Sequence, residues 1–286
     1  MNPRESVPLV PGSIGEILIA LGRLTTQQAA LVLEDQKRTG QPFGEAAVRL
    51  RLVSPDDIRN ALSSQFRYPF LEVGSSAVKR EVIAAYNPFS PEVEALRGVR
   101  ARIILRGLAM QRKEKAIAVV SPGHGDGRSF LTSNLAVVFA QLGERTLVID
   151  GDLRKPDQHR LFGLENREGL SSVLAGRSAL AQAIQKVPNL NLSVLTSGPL
   201  PPNPQELLLG PALVQLLSGI AKDFDIVLVD TPAATNADAF TLGARTGAAL
   251  LVVSRNKTPL GPTRQLKDSL EHSGCQMIGA VMNSAQ

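Results

Sequence analysis

Beyond residue 115 the hydrophobic positions fall in short, nearly unbroken runs: Ala116–Val120, Thr146–Ile149, Leu192–Leu195, Ile226–Val229, Ala249–Val253 and Met277–Met282. Runs of this length, rich in Val and Ile, predict strands, and their lack of polar alternation predicts strands covered on both faces. Helical segments separate several of them. The pattern therefore predicts an α/β fold with a doubly wound, mostly parallel sheet over 115–286. The first seventy residues read differently, as an internal repeat. Ile14-Gly15-Glu16 recurs as Phe43-Gly44-Glu45, and the segment Ala30–Gln36 recurs as Arg59–Gln65, both 29 residues on. Thr25 with Gln28, and Ser54 with Asp57 after which Pro55 opens the helix, are capping boxes at matching places. Each copy predicts a short helix, a tight turn and a second helix, so residues 1–72 form a small helical module. Residues 73–114 read as a linker and then a basic helix, with Pro88 and Ser90-Pro91 breaking the chain and Ser90 capping that helix.

Composition narrows the setting. A chain of 286 residues with 43% hydrophobic content can bury a substantial core, and the single Cys275 excludes a disulfide framework. Met1–Pro11 does not have the form of a signal peptide, and the longest apolar runs, such as Ala248–Val253, fall far short of the roughly 20 residues of a membrane helix. A soluble, cytoplasmic protein is expected. The net charge of +5 is concentrated in Arg97, Arg100, Arg102, Arg106, Arg112, Lys113 and Lys115, against Glu114 alone. Such a stripe suits an anionic partner or a solvated helix face. With 4% aromatic residues and no Trp, platforms for stacking bases are scarce, and no nucleic-acid partner is expected.

Three motifs carry chemistry. The strand at Ala116–Val120 runs into Ser121-Pro122-Gly123-His124-Gly125-Asp126-Gly127-Arg128-Ser129, and a helix is predicted over Phe130–Leu142. Strand, glycine-rich loop and helix are the setting of a phosphate-binding P-loop, in which backbone N–H groups and the helix dipole converge on anionic oxygens. Gly125, Asp126, Gly127, Arg128, Ser129 and Phe130 form the predicted nucleotide-binding stretch. Arg128 stands where lysine is usual, and Ser129 is placed to hold magnesium. Next, Leu147-Val148-Ile149-Asp150-Gly151-Asp152-Leu153-Arg154 is an apolar strand ending in two acids one residue apart. Such a pair can hold magnesium and accept a hydroxyl proton. Finally, Ile226–Val229 ends in Asp230, the Walker B pattern, where the acid binds magnesium or water. In this order the three motifs predict a site for ATP and Mg2+. His124 lies inside the phosphate loop and could touch ligand, although a solvent-facing position is the expectation; Cys275 lacks the neighbours of a catalytic thiol, and no Cys/His metal spacing occurs.

Asp150-Gly151-Asp152-Leu153-Arg154 resembles the second Walker motif of the bacterial tyrosine kinases, the BY-kinase family. Gly198–Leu208 is similar to that family's proline-rich loop, and Glu94, Arg97 and Arg100 match its Glu-x-x-Arg-x-x-Arg helix. With Arg128 in the P-loop, the chain looks most like the exopolysaccharide chain-length-determinant tyrosine kinases of EpsG type. This resemblance implies a P-loop fold of MinD/ParA type and ATP-dependent phosphorylation of protein tyrosine. Arg128 would neutralise phosphate charge, Ser129 and Asp152 would hold magnesium, and Asp150 would position or deprotonate the hydroxyl. Asn283 matches an asparagine that reads adenine in related ATPases. Glu94, Arg97 and Arg100 would join subunits into a ring. The family also implies a membrane partner, a polysaccharide chain-length-determinant (Wzz-like) protein, through which the chain would sit peripherally at the inner membrane. Members commonly carry a tyrosine-rich tail. Only Tyr68 and Tyr86 occur here, so the acceptor is expected on another chain, with Tyr86 the weaker candidate. A nucleotide-switched ATPase of the MinD or ParA class has the same fold and motifs and remains the alternative. The front module resembles the N-terminal domain of type II secretion and pilus ATPases, some of which bind cyclic di-GMP. There each repeat opens with Arg-Leu-Gly; here Ser13-Ile14-Gly15 and Pro42-Phe43-Gly44 stand instead, and a later glycine is Arg51. The resemblance therefore implies the module without cyclic di-GMP.

Overall fold

The computed structural model describes residues 12–66, 69–71, 74, 76–109 and 115–284. Met1–Pro11, Tyr68, Arg112, Lys113 and Glu114, all named above, lie outside the described residues. The chain forms two compact units, 1–69 and 70–286.

In the first unit, α1 (Ile14–Ala20) and α2 (Thr26–Thr39) are followed by their repeats α3 (Phe43–Arg49) and α4 (Pro55–Phe66). Both capping boxes form: the Thr25 hydroxyl accepts from Gln28 N at 3.2 Å, and the Ser54 hydroxyl accepts from Asp57 N at 3.1 Å. Leu18, Ala29, Val32, Ala46 and Ala61 pack at the centre. The turn after α1 uses Gly22 at φ 67°, and the equivalent turn after α3 puts Arg51 at φ 56°. Arg51 thus holds a left-handed backbone conformation that costs a side-chain-bearing residue roughly 1 kcal/mol.

The second unit opens with α5 (Ile83–Tyr86) and α6 (Pro91–Ala109), then β1 (Ala116–Val120), α7 (Arg128–Gln141) and β2 (Thr146–Asp150). Three short helices come next, α8 (Gln158–Phe162), α9 (Leu170–Leu174) and α10 (Leu180–Ala183), then β3 (Ile184–Val187) and β4 (Leu192–Leu195). The chain continues through α11 (Pro204–Leu209), α12 (Pro211–Ile220), β5 (Ile226–Asp230), α13 (Ala237–Thr246), β6 (Ala248–Ser254), α14 (Leu260–His272) and β7 (Gln276–Asn283). The strand order is β3-β4-β2-β5-β1-β6-β7, parallel throughout except for the antiparallel β3–β4 pair at one edge. The predicted doubly wound, mostly parallel sheet is the observed one. Both faces of the sheet are covered. On β2, Val148 packs with α7 residues such as Val137, while Leu147 and Ile149 pack on the other face with Leu208 and Leu213. Strand β3 is not among the apolar runs of the sequence. Its four residues, Ile184-Gln185-Lys186-Val187, bury only Val187, so they lack the hydrophobic continuity that marks the central strands.

The segment before α6 is fastened to α7 by buried polar groups. Asn134 Oδ1 accepts from Ala84 N and Gln141 Nε2 donates to Ala84 O, both at 2.9 Å. Tyr86 is buried and its hydroxyl donates to the Val78 carbonyl. Burial pushes its phenol above the ordinary range. An acceptor role for Tyr86 is therefore overturned in this conformation, because its oxygen is enclosed and occupied.

Candidate active site

Parallel strands all point their C-terminal ends to one edge, where loops and helix N-termini gather. There β1 runs into the glycine loop, and β2 and β5 end side by side, with Asp150 and Asp230 as register partners. Gly151 allows this approach: a β-carbon on it would lie 2.8 Å from the Asp230 carbonyl oxygen and 2.7 Å from Leu242 Cδ1.

The loop is rigid from within. Asp126, 2% exposed, accepts from Gly123 N at 2.9 Å. Gly127 has φ 98° and serves as N-cap of α7. Asn283, at the end of β7, covers it: a β-carbon at Gly127 would meet Asn283 Nδ2 at 2.1 Å. Asn283 and Phe130 also line one cavity of about 260 Å³, together with Leu96, Val99 and Met282.

Arg128 turns into the protein rather than out of it. Nε donates to the Thr231 carbonyl at 2.9 Å, and one Nη reaches the Ser121 hydroxyl and the Gly123 carbonyl. Burial pulls its pKa down, opposed by the charges of Asp230, Asp152 and Asp126; a guanidinium keeps its proton regardless.

The acids differ sharply in setting. Asp150 is fully buried; Oδ2 accepts from Asp157 N at 3.1 Å and Gln158 N at 2.9 Å, while Oδ1 accepts only from Asp152 N at 3.3 Å. Burial first, and then the Asp230 charge, hold its carboxyl well above the usual range. Asp152 lies past the end of β2 in a half-buried turn, where it accepts from Lys155 N at 2.9 Å. Strand geometry stops at Asp150, so the two acids sit in different environments, one fully buried and one half-buried, although the Asp152 charge still acts on Asp150. Asp230 is 1% exposed and accepts from Gln158 Nε2 at 2.7 Å. Burial pushes it up to about 6, against the hydrogen-bonding pull of Gln158 and Ser129 and the charge of Arg128.

Gln158 is the principal site residue that no sequence motif marks. Its carboxamide also donates to the Ser129 carbonyl at 3.2 Å, joining the P-loop to the strand-end acids. Only its distance past the paired acids hints at proximity. Lys257, beyond β6, is likewise absent from the motifs, although a cation just after an apolar strand at this edge of the sheet is visible in the sequence.

Asp230 Oδ1, Gln158 Oε1 and Thr132 Oγ1 are buried without a hydrogen-bond partner. Hard oxygen donors, one of them unsatisfied on a carboxylate, fit magnesium. Among the described residues no cluster of three or more His, Cys, Asp or Glu forms a metal cage.

Residues 112–286 match the ParA family described as NUBPL iron-transfer P-loop NTPase. The sheet and loop thus define a P-loop NTPase of the ParA class. The MinD septum site-determining protein from Pyrococcus horikoshii OT3, complexed with Mg-ADP, has a TM-score of 0.53 at 26% identity, covering 59% of this chain and 70% of that one. Tyrosine-protein kinase YwqD of Bacillus subtilis (strain 168) is 40% identical over 209 residues, 73% of this chain and 87% of that protein. The kinase domain of the Escherichia coli tyrosine kinase ETK has a TM-score of 0.67 at 34% identity, covering 71% of this chain and 80% of that one. The chain belongs to the bacterial tyrosine-protein kinase family.

Proposed function

We propose that the chain transfers the γ-phosphoryl group of magnesium-ATP to tyrosine hydroxyls of another protein, in the service of exopolysaccharide chain-length control. The observation that carries this reading is the in-register pair Asp150 and Asp230 beside the glycine loop, with Asp230 Oδ1 unsatisfied. The amides of 125–129 receive the phosphates, Arg128 adds its positive charge from its buried place among the Ser121, Gly123 and Thr231 oxygens, and Asn283 and Phe130 border the base. Ser129, Asp152 and Asp230 hold magnesium, which when bound shields the charge that builds on the transferring group. Asp150 takes the proton of the attacking hydroxyl: burial and a neighbouring carboxylate raise its basicity, and Oδ1 carries only one long hydrogen bond. Asp150 is fully buried and held by the Asp157 and Gln158 amides, so an incoming hydroxyl needs these contacts to open.

The wider setting rests on resemblance. A membrane protein of the chain-length-determinant (Wzz-like) type is the partner that keeps the chain peripheral at the inner membrane, as in the EpsG-type kinases. Residues 1–72, similar to the secretion-ATPase module, serve for docking; 73–114 lead into the catalytic domain at 115–286. Among the described residues no helix is long and apolar enough to cross a membrane.

The test is incubation with labelled ATP, magnesium and a tyrosine-rich peptide. Label on tyrosine, lost by about two to four decades in Asp150→Asn with nucleotide affinity retained, is the expected result. Release of free phosphate without phosphotyrosine supports instead the switch-ATPase reading, which the MinD likeness favours.

A further inference from the structure

The glycine loop is held from outside by the turn after β6. Thr258 Oγ1 donates to Asp126 Oδ1 at 2.8 Å and accepts from Ser254 N at 2.7 Å. Next to this staple, Lys257 Nζ donates to the carbonyls of His124 at 3.1 Å and Gly125 at 3.0 Å. Gly125 has φ 69°, a left-handed conformation that suits glycine, and a β-carbon there would lie 2.7 Å from Nζ, so any other residue would push the ammonium aside.

In a trans peptide the C=O of one residue and the N–H of the next point in opposite directions. By gripping the oxygens of His124 and Gly125, the ammonium turns the N–H groups of Gly125 and Asp126 away from itself. A cation on the carbonyl also polarises the peptide, which makes those N–H groups better donors to an anion. Ser121-Pro122-Gly123, at the start of the loop, supplies no cation.

We propose that Lys257 is a positioning residue of the nucleotide site, fixing and polarising the Gly125 and Asp126 amides for phosphate and adding a positive charge to that of Arg128. This rests on reading the glycine loop as a phosphate cradle. Lys257 reaches the loop from the same chain, more than a hundred residues later in the sequence.

Calorimetric titration of the full chain with ATP, ADP and AMP, each with magnesium, tests it in wild type, Lys257→Met and Lys257→Arg. Lys257→Met is expected to weaken ATP about five- to tenfold, ADP less and AMP little, because the lost charge and aligned donors act on phosphates. Lys257→Arg should recover most of the ATP affinity. Lys257 is exposed, so the melting temperature without nucleotide should match wild type. Wild-type affinities for all three nucleotides in Lys257→Met would overturn the proposal. So would an equal loss for all three with a lowered melting temperature, which marks a simple brace. A wild type that binds no ATP at all would refute the cradle itself, a result distinct from either.

Discussion

Two carboxyl groups buried side by side at the ends of β2 and β5 weigh against the folded state whenever both are ionised. In the folded chain Asp230 keeps its proton up to about pH 6, against an ordinary value of 3.8. The folded state therefore binds more protons than the unfolded one across that window. Stability falls as pH rises through it, and the Asp230 share of the cost is reached once the pH has passed about 6. Asp230→Asn removes the charge and is expected to be about 1–3 kcal/mol more stable than wild type at pH 7.5, the gap closing near pH 4. Denaturant titrations at the two pH values measure this, and a destabilised variant at pH 7.5 would contradict it. Arg51 offers a second single-residue test. Its left-handed φ of 56° occupies the place of Gly22, so Arg51→Gly should stabilise the first unit by about 0.5–1 kcal/mol, read as a rise in melting temperature. The sequence displays Arg51 as a missing glycine, and the acids as strand ends. It cannot display the unsatisfied Asp230 Oδ1 or the Gln158 bridge, because both arise from chain segments brought together only by the sheet.

At the scale of elements, apolar runs locate six of the seven strands: β1, β2, β4, β5 and β6 because they are covered on both faces, and edge strand β7 because it keeps Met277, Ile278, Val281 and Met282 although only Ile278 is buried. The edge strand β3 escapes because half-polar edges carry no such demand. Hydrophobicity alone stops four strands one residue early: β2 and β5 continue into Asp150 and Asp230, and β6 and β7 into Ser254 and Asn283. The junction of β2 and β5 depends on Gly151. Gly151→Ala should force β2 from β5 against the Asp230 carbonyl, costing about 1–3 kcal/mol and lowering turnover more than nucleotide affinity. Thermal melts and steady-state kinetics on one preparation would show whether the two losses separate. Helix α6 bears the proposed ring contact. Arg97 donates to Glu94 Oε2 at 2.7 Å and to the Pro88 carbonyl, and Arg100 donates to the Val138 carbonyl at 2.6 Å. Reversing either arginine would disturb the fold as well as a subunit contact. Glu94 is 71% exposed and is the cleaner probe. Glu94→Lys is expected to dissolve any oligomer in sedimentation velocity while ATP binding persists; a wild type sedimenting as a monomer with and without ATP would remove the premise.

For the whole molecule, the two compact units pose two separate questions, and the first unit's is whether it takes a ligand of its own. Ser13 caps α1, accepting from Glu16 N at 3.4 Å, and Pro42 opens α3; neither supplies the charge that a cyclic dinucleotide phosphate would need. The full chain is expected to show no saturable cyclic di-GMP binding in calorimetry, and a tight isotherm would reverse that reading. The order of the strands has one further consequence, for synthesis on the ribosome. Strand β1, which delivers the glycine loop, lies between β5 and β6, and the loop's outer supports, Lys257, Thr258 and Asn283, come from after β6 and the end of β7. Ribosomes add residues in sequence order, so for more than a hundred additions the emerging loop has neither flanking strand nor clamp. Such distant pairings close late and slowly. A nascent chain of this protein therefore presents its glycine loop without flanking strands or clamps until synthesis has passed β5, β6 and Asn283 in turn.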